Sequence, residues 1–190
     1  MSPSDLKVDL ALVHHPVCNK HRETITSAVT NLDLHDMARA GRTFGIDNFF
    51  VVTPNHDQQL LVKEILAHWS TGHGGKVNPD RKEALSVIRL IDDLDEVYEA
   101  ATGKWGERPM VLATCARCVG EDVHSYESVR ERIFAGRPVL LLFGTAWGLA
   151  PEVMQAVDGF LPPISGQMEY NHLSVRSAAS IVLDRLLGKR

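Results

Sequence analysis

Four short runs made almost wholly of apolar residues constrain this chain most: Val8 to His14, Asn48 to Thr53, Pro109 to Thr114 and Pro138 to Phe143. A strand with one wet face alternates polar and apolar residues, whereas runs this apolar read as strands covered on both faces. Amphipathic stretches separate them. Leu34, Met37, Ala38, Gly41 and Phe44 share one helical face, and Leu60, Leu61, Ile65, Leu66 and Trp69 share another. Strands alternating with helices predict an α/β fold, a mostly parallel sheet flanked by helices.

The remaining elements follow from local signals. Asp57 is placed to cap the helix that runs to Trp69, and Gly72, Gly74, Gly75 and Pro79 then mark a loop. Glu83 to Leu90 reads as a strand, and Asp92 to Ala101 as a helix with acidic residues in its first turn. Ser125 precedes a helix over Tyr126 to Phe134, and Leu173 to Leu187 forms a last one that Gly188 stops. The 190 residues suit one domain, spanning 1–190, with no internal repeat.

Charge narrows the partners. Lys and Arg number 20 against 24 Asp and Glu, a formal charge of −4, so the chain cannot coat nucleic acid by bulk attraction. Local positive residues can still hold RNA: Lys76, Arg81 and Lys82, with His73, read as a mobile basic loop suited to phosphate contacts. No apolar run approaches the roughly 20 residues that cross a bilayer, and the start carries no secretory pattern. With an odd count of three cysteines, the expectation is a cytoplasmic protein without a membrane segment.

Two loops stand out for chemistry. In Leu141 to Val153 (LLFGTAWGLAPEV) a buried strand ends at Phe143-Gly144 and Pro151-Glu152 opens a helix. Ligands of open α/β sheets bind at the carboxyl ends of strands, where a glycine lets backbone approach a ligand closely; an ordinary turn uses the same residues. The second loop, Asp158 to Gly166 (DGFLPPISG), is stiffened by two prolines. Cys115 and Cys118 form a CxxC, and His14, His15, Cys18 and His21 crowd an early loop. The two compact ligand pairs of a zinc site are missing, so no metal is expected.

Taken in order, NLDLHDMARAGRTFGI (31–46), LLFGTAWGL (141–149), FLPPISG (160–166) and NHLSVRSAASI (171–181) resemble the three motifs of the SPOUT RNA methyltransferases. The likeness is greatest to a small branch related to the C-terminal part of some tRNA guanine-N1 methyltransferases, and it covers nearly the whole chain. It implies a C-terminal deep trefoil knot, a homodimer, and S-adenosylmethionine as cofactor, held mainly by backbone. Carried over by position, the cofactor-binding residues are Thr114, Cys115, Phe143, Gly144, Leu161, Pro162, Ile164, Gly166, His172 and Leu173.

The resemblance also implies an RNA substrate, tRNA or rRNA, methylated on a ribose 2′-oxygen or a base nitrogen. Arg39, followed by Phe44-Gly45, matches the spacing of the first-motif arginine, which binds phosphate or stabilises a developing alkoxide. The family's Asn and Gly before it are here Asp33 and His35, its Asn-Glu after the second-motif glycine is Thr145-Ala146, and its third-motif Asn is Ser174. With these departures His35 and Asp36 become candidates for accepting a proton, although Asp33 could equally be a helix cap. Arg81, Lys76 and Arg117 are the candidate substrate contacts. A module of the same fold that binds cofactor or RNA without chemistry is the competing reading.

Overall fold

The computed structural model describes residues 6–116 and 122–190. In chain order, β1 (Val8–Val13) leads through β2 (Val17–Cys18) and β3 (Thr24–Ile25) into α1 (Asn31–Thr43). β4 (Phe49–Val52) is followed by α2 (His56–Ser70), α3 (His73–Val77) and α4 (Pro79–Leu85), and β5 (Ile88–Ile91) by α5 (Leu94–Trp105). Then come β6 (Met110–Ala113), α6 (Tyr126–Phe134), β7 (Val139–Gly144), α7 (Pro151–Ala156), β8 (Gly159–Phe160) and α8 (Val175–Leu187). Six strands pair in the order β5-β4-β1-β7-β6-β8, all parallel, while β2 and β3 form a small antiparallel pair.

Both faces of the sheet are buried, as the four apolar runs require. Successive strand residues point to opposite faces. Leu10, Leu12, Phe49, Val51, Leu112, Leu141 and Phe143 meet residues of α1, α2, α4, α6 and α8 in one core. Ala11, Val13, Phe50, Val52, Val111, Leu140 and Leu142 meet Leu94 and Val97 of α5 and Val153 of α7 in the other. Each such aliphatic side chain contributes about 1.5–3 kcal/mol when fully buried.

Several local expectations need correction. Asn55, not Asp57, caps α2, its side chain accepting from the Gln58 amide. Thr30, not Asp33, caps α1; its hydroxyl accepts from the Asp33 amide and donates to the Asp33 carboxylate, a reciprocal cap. The glycine-rich segment is no mobile loop. It holds α3 and then α4, whose Pro79 occupies the first helical turn behind the Asn78 cap. Consequently Glu83 and Leu85 are helical, and the strand expected over 83–90 is confined to Ile88–Ile91.

At the amino end of β1, Asp9 is wholly buried. It accepts from the Trp105 indole at 2.6 Å and from Lys104 at 3.3 Å, tying α5 to the sheet. Burial pushes its carboxyl pKa up against the pull of Lys104. Trp105→Phe should therefore cost about 2 kcal/mol, because a buried acceptor loses its donor, and urea unfolding at neutral pH checks this.

Candidate cofactor and substrate site

All six sheet strands run parallel, so their carboxyl ends share one edge. Three loops gather there. Thr114 continues β6 through its amide and hydroxyl, both donating to the Leu142 carbonyl at 3.0 and 3.1 Å. The Leu161 amide donates to Ala113, joining the segment after β8 to the same strand end. The Asn171 side chain donates to Ala116 at 2.7 Å, and the Tyr126 hydroxyl donates to Pro162 at 3.1 Å. The stretch from Pro162 to Leu173 is thus pinned at both ends to neighbours of β6. Among the described residues, no backbone amide from Ile164 to Ser174 donates to another backbone group.

The expected site residues divide accordingly. Thr114, Cys115, Pro162 and Ile164 are half-buried at this edge, and Gly166, His172 and Leu173 are exposed on the pinned stretch. Phe143 and Leu161 turn their side chains into the core, so they can offer a ligand only backbone, the mode of binding that the resemblance implies. Arg117 lies outside the described residues, as does Cys118.

Gly144 meets a need of the loop itself. A β-carbon there would sit 2.7 Å from the Leu149 amide nitrogen and 3.0 Å from the Leu149 side chain. The close approach that glycine permits is to the chain's own returning loop. That loop turns through Ala146 and Gly148, both at positive φ. It also docks on β2, with Trp147 donating to the Cys18 carbonyl at 3.0 Å and Cys18 donating to Gly148 at 2.8 Å.

Beneath this loop lies a polar chain that the sequence did not reveal. Thr145 donates its hydroxyl proton to the Val13 carbonyl at 2.9 Å and lies 2.6 Å from the Ser27 hydroxyl, which is 3.0 Å from His14 Nδ1. His14 is fully buried and its Nε2 has no hydrogen-bond partner. Burial pushes the imidazole down to about 4, against the opposing pull of Asp33. The chain joins the carboxyl ends of β1 and β7 to the segment that enters α1.

The first-motif helix supplies the charges. Arg176, at the start of α8, donates to Asp33 at 3.1 Å and lies 3.5 Å from Asp36. Arg39 reaches Asp36 only at 4.0 Å and is 58% exposed, so its guanidinium faces solvent nearly free. His35 lies in a groove of about 570 Å³ between α1, α2 and α4, together with Arg39, Trp69 and Arg81. Burial lowers the His35 pKa, helped by Arg81 and Arg39 and opposed by Asp36. The structure thus gathers Arg39, His35, Asp36 and Arg81, but not Lys76, which is exposed on α3. Sequence reasoning singles out neither Arg176 nor Trp69: Arg176 lies within the segment 171–181, and Trp69 lies on an apolar helical face.

A parallel sheet with three loops at one carboxyl edge has close counterparts among solved methyltransferases. A probable methylase family protein from Haemophilus influenzae is 16% identical, with a TM-score of 0.62 over 96% of this chain and 65% of that one. The SpoU methyltransferase AviRb from Streptomyces viridochromogenes, solved with AdoMet, is 16% identical with a TM-score of 0.56, covering 97% of this chain and 57% of its own. These establish the SpoU-type fold. The model of a SAM-dependent RNA methyltransferase family matches residues 7–188, and the chain belongs to that family. A tRNA (guanine-N(1)-)-methyltransferase of Oleidesulfovibrio alaskensis is 47% identical over 178 residues, 94% of this chain. A protein of Aquifex aeolicus is 37% identical over 96% of this chain and 89% of its own length. The chain spans only 41% of the Oleidesulfovibrio relative.

The family's cofactor is S-adenosylmethionine, and the edge fits it. An adenine needs backbone donors and acceptors, and the amides from Ile164 to Ser174 have no backbone partners among the described residues. The thioether-like chain needs apolar walls, which Pro162, Ile164 and Leu173 provide. Among the described residues no helix is long and apolar enough to cross a membrane.

Two outcomes follow. Gly144→Ala should drive Leu149 away, lower the melting temperature and weaken S-adenosylmethionine binding, both measurable by thermal shift with and without cofactor. Because the folded His14 pKa lies below its ordinary 6.5, the unfolded chain binds the extra proton. Stability should therefore fall as pH drops from about 6.5 to 4, by about 3 kcal/mol, and His14→Asn should flatten that slope in urea titrations.

Proposed function

We propose that this enzyme methylates tRNA, on an oxygen or nitrogen acceptor that must lose one proton. The observation that carries this reading is the convergence of Arg39, His35 and Asp36 with Arg176, which ties α1 to the start of α8, directly after the cofactor stretch. S-adenosylmethionine supplies an electrophilic methyl group, so the protein's work is to orient acceptor and donor and to move a proton. Thr114, Cys115, Pro162, Ile164, Gly166, His172 and Leu173 would hold the cofactor in this reading, together with the backbone of Phe143, Gly144 and Leu161.

Arg39 grips a phosphate beside the acceptor, since its nearest carboxylate is 4.0 Å away and shared with Arg176. His35 takes the proton. Its lowered pKa keeps the imidazole neutral at pH 7, and Asp36 favours the charged form once the proton arrives. The relatives named for tRNA methylation support the choice of tRNA over rRNA. The proposal includes the trefoil knot and a homodimer in the cytoplasm; exposed Leu32, Met168, Tyr170 and Leu173 supply apolar surface that a second copy would cover.

The competing module without chemistry draws on Thr145, whose hydroxyl is committed to Val13 and Ser27 and cannot serve a substrate. Transfer of labelled methyl to tRNA lacking its natural modifications separates the two. Activity should fall about a hundredfold in Arg39→Ala while cofactor affinity holds. Absence of transfer by the unaltered protein would sink the enzymatic reading, and mass spectrometry of digested nucleosides names the methylated atom.

A further inference from the structure

The groove between α1, α2 and α4 does more than seat His35 beside Arg39. Among the residues that line it, two covered nitrogens, His35 Nδ1 and Arg81 Nε, have no hydrogen-bond partner. Buried polar groups are paired in the great majority of folded proteins, so two orphans in one groove point to a ligand that would pair them.

The groove is also built. Trp69 is held from several sides: the Arg81 guanidinium lies 5.0 Å above its ring, and His35 and His68 stand nearly perpendicular to it at 5.5 and 5.1 Å. Behind it, α3 packs so closely that a β-carbon on Gly74 would lie 2.6 Å from His68 and 3.0 Å from Trp69. On Gly75 a β-carbon would collide with the Trp69 carbonyl. The glycines therefore serve to seat α3 against this aromatic corner.

The lining carries both signs. Arg39 and Arg81 suit a phosphate, while Glu64 and Asp36 accept from hydroxyl or amino groups, and the Asn31 amide can do either. A bare anion would leave the carboxylates opposed to it. A nucleotide, with a flat base, a ribose hydroxyl and a phosphate, uses every class of group present, and its base finds the aromatic corner.

A second groove of about 410 Å³ shares Asp36 and Arg39 with the first and continues to Arg176 and Ser177 of α8. One trough thus runs from Trp69 over α1 to the helix that follows the cofactor stretch. We infer that the Trp69 groove is a subsite for one nucleotide of single-stranded RNA flanking the methylated one, an inference that rests on the RNA-methyltransferase reading above.

The test uses the whole chain labelled with 5-fluorotryptophan, whose three tryptophans give three fluorine resonances, the Trp69 line being assigned with Trp69→Phe. The probes are the four ribonucleoside 5′-monophosphates and an unstructured octaribonucleotide. A saturable shift of the Trp69 line with the Trp105 line unmoved is the expected result, with affinity reduced about tenfold in both Arg81→Gln and the charge-retaining Arg81→Lys. An unmoved Trp69 line at millimolar probe, or affinity in both Arg81 variants equal to that of the unaltered chain with the Trp105 line at its usual position, overturns the subsite. Methyl transfer to tRNA is measured on the same samples. Transfer with a silent Trp69 removes the subsite alone, whereas a responsive Trp69 without transfer removes the enzymatic reading alone.

Discussion

The pairing of β1 with β7 is the constraint on which the rest depends. The two strands run in register from Val8 opposite Val139 to Val13 opposite Gly144, at the centre of the sheet. A one-residue slip would exchange the two faces of each strand, sending Leu10 and Leu12 toward α5 and Ala11 and Val13 toward α1. The register also brings Thr145 onto the Val13 carbonyl and within reach of Ser27 and His14. The position of the second-motif loop is therefore inherited from hydrophobic packing well below it.

Asp36 does for the charges what Gly144 does for the backbone. It stands between Arg176 and Arg39, borders both grooves, and stabilises the protonated form of His35. Asp33 takes the firmer contact with Arg176 while completing the cap of α1. One turn of helix thus serves both as a brace between α1 and α8 and as an electrostatic hub. The Asp36 pairs are exposed and add little to stability, so their interest lies in where they hold Arg39.

The large elements were legible because burial on both faces leaves a strong apolar signature, and because the motif order carried the three loops. What was illegible has physical reasons. Pro79 was read as a loop marker, yet proline at the first helical position marks a helix start, and Asn78 before it was the cap. Strands β2, β3 and β8 are two residues each, too short for periodicity to register. At Gly144 residue type shows that something approaches closely, but cannot say that the neighbour is Leu149. Phe143 and Leu161 follow the motif in sequence while their side chains follow the strand alternation into the core. Trp69 and Arg81, in helices separated by α3, became partners only through the packing of Gly74 and Gly75.

The central position of β1 also bears on how the chain assembles. One neighbour, β4, follows soon after it, but the other begins only at Val139. Until that segment has emerged from the ribosome and closed a long loop, one side of an almost wholly apolar strand is an open edge. Such edges template pairing with other chains, and non-local parallel pairing is slow to form. The register that gives this edge its floor thus makes the nascent chain a candidate for chaperone protection until β7 has been made.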